Sequence, residues 1–180
     1  MTGVRPRPYR GLTPVFTRGG TLLHTLIWLA LLGGGAGLFY GYLEHQMNPN
    51  RAPQMTGAGE IVLKRNRAGH FVAGGAINGH KVNFLVDTGA TQIAVPRELA
   101  DKLGLERGLP VQIQTAAGPS QGYATRLASV ELASMRLSGA SAIVADGLDP
   151  ALVLLGMSFL RHVEIAQRGD ELILKPLQHR

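Results

Sequence analysis

The residue with the clearest chemical potential is Asp87, in the stretch LVDTGAT at positions 85 to 91. There one carboxylate stands between an apolar run and a glycine. A carboxylate in a turn is a local cap or a general acid–base group, and hydrolytic work of the second kind calls for a partner group nearby. The other four aspartates, Asp101, Asp146, Asp149 and Asp170, lack the apolar-Asp-Thr-Gly context. Cysteine is absent, so neither a thiol nucleophile nor a disulfide framework is available. The histidines, at 24, 45, 70, 80, 162 and 179, show no metal-ligand spacing, and no metal or other cofactor is expected.

Net charge is +6 over 180 residues, with four arginines before residue 20 and no acidic residue among them. The remaining excess is mild and scattered, which argues against nucleic-acid binding, since that calls for a dense basic patch. Residues 19 to 43 carry no formal charge. As a helix rising about 1.5 Å per residue they can cross a hydrocarbon core of about 30 Å. A cleaved signal peptide is the other reading, but the segment is longer than a signal h-region, and Tyr40 and Tyr42 stand where an interfacial belt would be. The basic N-terminal side is expected in the cytoplasm, which puts residues 44 to 180 across the membrane, in the periplasm of a bacterium. Gly33, Gly37 and Gly41 recur every four residues, a spacing that lets two membrane helices approach closely. The expected organisation is a basic N-terminus (1–20), an anchor in the bacterial inner membrane (21–43), a Pro-, Asn- and Gly-containing tether (44–59) and one folded domain (60–180).

That domain reads mostly as short strands, at 60–65, 70–77, 81–86, 92–95, 111–115, 122–132, 135–137, 141–145, 152–155, 164–167 and 171–175. Asn78-Gly79 marks a tight hairpin because both residues tolerate positive φ. One short helix is expected from Pro96 to Gly104, with Leu99 and Leu103 on one face, and another over 156–163. AAGPSQ, 116 to 121, reads as the flexible tip of a hairpin.

The order of these features, strand, Asp87-Thr88-Gly89, hairpin with a Gly-rich tip, then LVLLG ending at Gly156, resembles the retropepsin-like aspartic proteases. LVDTGAT and LLGMSFL look most like the bacterial membrane-anchored branch. The resemblance covers about residues 60 to 175. It implies a mostly β, single-lobed closed barrel of the acid-protease type with one or two short helices, preceded here by one transmembrane helix. It implies Asp87 as the catalytic residue and support of its loop by Thr88, Gly89, Ala90, Thr91 and Gly156. It also implies a flap at Ala117, Gly118, Pro119 and Ser120.

In that chemistry two carboxylates share one proton, one acting as general base on water and the other hydrogen-bonding the scissile carbonyl. A domain of this length is one lobe, so Asp87 of a second copy would complete the pair and the active species would be a homodimer acting on polypeptides. Many two-lobed relatives have Ser where Ala90 stands. The lost hydroxyl leaves the ionised form with one hydrogen bond fewer and favours activity at milder acidity. The competing expectation is a membrane-tethered peptide-binding scaffold on the same fold. A scaffold has no use for a repelling carboxylate pair.

Overall fold

The computed structural model describes residues 18–115 and 118–177, which divide into two compact units, Met1–Gly41 and Tyr42–Arg180. The first helix, α1 (Arg18–Met47), contains a 23-residue stretch, Leu22–Glu44, with mean hydropathy 1.7. By length and composition it can cross a membrane. Its large apolar side chains, from Leu22 to Leu43, lie exposed.

Among its described residues the second unit holds ten strands: β1 (Ile61–Lys64), β2 (Val72–Ile77), β3 (His80–Val86), β4 (Ile93–Pro96), β5 (Pro110–Thr115), β6 (Gly118–Leu132), β7 (Met135–Ala145), β8 (Val153–Leu155), β9 (Val163–Arg168) and β10 (Glu171–Pro176). Two short helices, α2 (Arg97–Lys102) and α3 (Met157–Leu160), interrupt them. Six strands run in the order β2-β3-β8-β4-β7-β6, and β6 returns to β2 through Ala76 opposite Glu131 and Ile77 opposite Val130. That closure makes the expected barrel, with β5 extending it along β6 and β1-β10-β9 forming a separate sheet. Alternate inward residues fill it: Phe84, Ile77, Ile93, Leu127, Val130 and Leu155 are fully buried.

Local chemistry accounts for the connections. Asn78 and Gly79 adopt φ 51° and 81°, turning β2 into β3 with Ile77 opposite His80. Helix α2 ends where Gly104 takes φ +61°. There the Leu105 N–H donates to Ala100 O at 3.0 Å and the Gly104 N–H to Asp101 O at 3.2 Å, the paired bonds of a Schellman cap.

Four expectations need correction. Pro96 is the last residue of β4 and caps α2 from outside rather than opening the helix, its ψ of 141° being extended. Residues 135–137 and 141–145 form one continuous strand, because β6 is long enough to pair from Gly122 to Leu132. The β5–β6 hairpin pairs out to Thr115 and Gly118, so Gly118, Pro119 and Ser120 are strand residues rather than a loose tip. Finally, the first part of the expected tether, residues 46–50, is bonded rather than free. Helix α1 continues to Met47, and Asn48 and Asn50 are buried against the barrel, because their amides supply hydrogen bonds that the strand edges lack.

Candidate active site

Strands β3 and β4 are consecutive in the chain, yet β8 lies between them, parallel to β3 (Val86 opposite Leu155) and antiparallel to β4 (Ala94 opposite Leu154). This insertion carries Gly156 beneath the loop that joins β3 to β4, across a gap of about 65 residues of chain. Asp87 leaves β3 with its N–H donating to Leu155 O at 3.2 Å. Its Oδ1 accepts the Gly89 N–H at 2.8 Å, and its carbonyl accepts from Ala90 N–H at 3.3 Å. The Met157 N–H closes the frame on Ala90 O at 2.8 Å. The loop is therefore held by backbone bonds on both sides, and the carboxylate, fixed by the Gly89 N–H, remains partly exposed.

Two glycines set the tolerances. A Cβ at Gly89 would stand 3.2 Å from Asp87 Oδ1, crowding the carboxylate. At Gly156 it would fall 2.3 Å from Gln92 O and 2.6 Å from Ala90 O, a backbone clash that no side-chain rotation relieves. Gly156→Ala is expected to cost about 3 kcal/mol and to remove activity even from the folded fraction, since the displaced carbonyls belong to the Asp87 loop. Thermal unfolding beside peptide hydrolysis checks both parts.

Thr88, Gly89 and Thr91 are exposed and Ala90 is half-buried. Asp87, Gly89, Ala90 and Thr91 line a cleft of about 1040 Å³. Gly118, Pro119 and Ser120 line it from the hairpin, so the structure brings three of the expected flap residues to the same space as Asp87. Ala117 lies outside the described residues. Apolar side chains Val111, Ile113, Ile143, Leu148 and Leu154 also line it, beside the polar Gln92, Gln112 and Gln114.

Sequence reasoning missed three contributors. Ser158 is buried, and its Oγ accepts the Ile93 N–H at 3.0 Å, fixing the start of β4 just beyond the Asp87 loop. Its signal was a hydroxyl inside the apolar stretch GMSFL. Asp146, dismissed for lack of an Asp-Thr-Gly context, also lines the cleft. Arg97 grips it through two bonds, Nε to Oδ1 and Nη2 to Oδ2, the latter at 2.8 Å. The Arg97 and Arg107 guanidiniums each lie 5.3 Å from the Tyr123 ring centre, while the Ser120 hydroxyl donates to Asp146 O at 3.1 Å. The ion pair thus lies against the base of the β5–β6 hairpin.

This pairing decides what Asp146 can do. Hydrogen bonding to Arg97, with smaller help from the Arg97 and Arg107 charges and against desolvation, holds its carboxyl below the ordinary Asp range. A carboxylate held ionised by a bidentate guanidinium is a poor partner for sharing one proton with Asp87. Because the folded value is depressed, the pair's contribution is complete above the unfolded Asp value of about 3.9 and is lost as pH falls through the lower folded one. Asp146→Asn is therefore expected to keep kcat within about fivefold while raising KM through a looser flap. A collapse of kcat matching that of an Asp87 variant would make Asp146 a member of the dyad.

A closed barrel with an Asp-Thr-Gly loop pinned over a buried glycine, and a hairpin facing the carboxylate, defines an aspartic protease lobe of the retropepsin type. Residues 73–162 match the family model described as "gag-polyprotein putative aspartyl protease". A crystal structure of a retropepsin-like aspartic protease from Rickettsia conorii is similar at 36% identity and TM-score 0.56, over 64% of this chain and 98% of that one. An uncharacterized Sinorhizobium protein is 37% identical over 136 residues, 71% of this chain and 58% of the relative. An uncharacterized Rickettsia prowazekii protein is 32% identical over 156 residues, 83% of this chain and 67% of the relative. The chain belongs to the retropepsin-like aspartic protease family.

Proposed function

We propose that this chain is a membrane-anchored aspartic endopeptidase that hydrolyses peptide bonds in periplasmic or membrane-proximal polypeptides. It works as a homodimer whose two Asp87 carboxylates form the catalytic dyad. The observation that carries the reading is the Asp87 loop itself: its backbone N–H bonded to Leu155 O, its carboxylate accepting the Gly89 N–H, and Gly156 packed under Ala90 and Gln92, all opening into a cleft bounded by the β5–β6 hairpin.

The chemistry follows from that placement. One Asp87, ionised, takes a proton from a water as the oxygen attacks the scissile carbonyl. Its protonated counterpart hydrogen-bonds the carbonyl oxygen where negative charge develops. Collapse of the tetrahedral species transfers a proton to the leaving nitrogen and breaks the C–N bond. Two carboxylates a few ångströms apart repel when both are charged, which favours one proton shared between them. Gly89 and Gly118 offer backbone close to the cleft, suited to an extended substrate recognised through main-chain hydrogen bonds.

The second subunit is needed because, among the described residues, the one other carboxylate lining the cleft, Asp146, is occupied by Arg97. Thr88 is exposed and would meet its counterpart across a twofold axis. Anchoring both chains in one inner membrane, with the N-terminus in the cytoplasm, raises their effective concentration. Gly33, Gly37 and Gly41, which have nothing within 4 Å of a built Cβ, would let the two anchors touch. Gly37→Leu with Gly41→Leu is accordingly expected to lower activity roughly tenfold at native expression, from a loss of about 1–2 kcal/mol of helix pairing. Activity that rises again on overexpression would mark the defect as one of association.

The direct test is the full chain, purified in detergent and offered a peptide library, with products read by mass spectrometry. Internal cleavage supports an endopeptidase. Binding without cleavage would leave a peptide-binding scaffold.

A further inference from the structure

The segment following the apolar span bonds to the barrel almost at once. The span ends at Glu44, and the Gln46 carbonyl already accepts the Arg67 N–H at 3.3 Å. Asn66 Nδ2 donates to Met47 O at 2.9 Å, so the loop before β2 caps the helix end. Asn48 reaches Asn83 on β3, Nδ2 to Oδ1, at 2.9 Å.

Asn50 does most. Its Nδ2 donates to Lys64 O at 2.9 Å and to Val72 O at 2.7 Å, and its Oδ1 accepts the Lys64 N–H at 2.7 Å. Its carbonyl accepts the Gly74 N–H at 2.8 Å. One amide thereby joins β1 to β2 along an edge that β6 leaves open, since β6 pairs β2 only at Ala76 and Ile77. Gly74 is required there: a Cβ would fall 1.9 Å from Arg51 O. Asn48 and Asn50 are 8% and 7% exposed, and every one of these bonds lies within the Tyr42–Arg180 unit.

The consequence is one of reach. As free chain, residues 44 to 59 would let the barrel wander roughly 50 Å from the bilayer at about 3.3 Å per residue. Bonded from Gln46 onward, the chain has no such slack. We propose that residues 46–50 are a latch that keeps the catalytic barrel at the surface of the membrane its anchor crosses. Among membrane-anchored polypeptides, the enzyme then selects those whose scissile bond lies close to the bilayer. This rests on the anchored-peptidase reading above and narrows its substrate class. A domain of this size is roughly 40 Å across, which bounds the height at which its cleft can act.

The test places the full chain in liposomes with single-pass reporter peptides sharing one cleavable sequence, set on polyproline spacers of about 5 or about 25 residues, roughly 15 or 80 Å long. The same sequence as a diffusible peptide is the control. Wild type is expected to cut the short reporter at least tenfold faster than the long one while cutting the diffusible peptide. Inserting a flexible Gly/Ser segment of about 60 residues between Leu43 and Glu44 leaves the latch bonds in place and restores slack. It should bring the two reporters within about threefold of each other. Equal cleavage of both reporters by wild type, or an unchanged ratio after the insertion, overturns the latch while leaving the peptidase reading intact. Failure to cut even the diffusible peptide, or any member of a library, overturns both.

Discussion

Asp87→Asn is expected to lower peptide hydrolysis by roughly a thousandfold or more while leaving the fold unchanged. The amide keeps an oxygen that can accept the Gly89 N–H, so the loop geometry at 2.8 Å survives. It cannot take a proton from water, and loss of a general base commonly costs about 10²–10⁴ in rate. Unfolding temperature is expected to stay the same or rise, because the like-charge repulsion between paired carboxylates is removed. The same variant tests the shared dyad. When wild-type and Asp87→Asn chains exchange freely in equal amounts, about a quarter of random dimers carry two carboxylates. Activity per wild-type chain should then fall by about half. No loss on mixing would mean that each chain holds a complete site.

The second large effect concerns stability. Asn50→Ala removes a side chain whose amide satisfies Lys64 N–H, Lys64 O and Val72 O. Each buried polar group left without a partner costs about 1–3 kcal/mol, less where water enters. A total of roughly 3–4 kcal/mol is expected, lowering the unfolding midpoint by about 10 °C for a domain of this length. Asn50→Asp is a sharper probe, because it keeps the shape and the acceptor but loses both donors and buries a charge. Thermal melts of the full chain in detergent check the order, wild type above alanine and aspartate. An unchanged midpoint for both variants would show that the buried amide contributes nothing net.

Much of this was open to reading in the sequence because it rests on local rules. Asn78-Gly79 needs only its own backbone preferences to turn a chain, and Gly104 needs only freedom at positive φ to end a helix. The alternating residues of β3 and β6 announce strands with one buried face. LVDTGAT and LLGMSFL carried the family because a carboxylate loop and a close-packed glycine each demand particular residue types. The contacts that escaped are those between residues far apart in the chain. Asp146 looked like one more turn aspartate until the fold set Arg97 against it, 49 residues away. Asn48 and Asn50 looked like polar linker residues, since an amide announces nothing about where its partners are. Ser158 showed only as a hydroxyl in apolar company, and the Ile93 N–H it serves lies 65 residues back.

By itself, then, the sequence determined the elements, the carboxylate, the glycine beneath it and a helix apolar enough to cross a membrane, all properties of composition and short-range geometry. Only the tertiary structure decided that β8 enters between β3 and β4, that Asp146 is bound by Arg97, and that the supposed tether is sewn to the barrel by Asn50. The reason is physical. Hydrophobic burial selects a closed barrel from the pattern of apolar residues, but which polar groups then meet depends on the register of strands distant in sequence. A polar group buried by that closure is stable only where the closure itself has placed its partner.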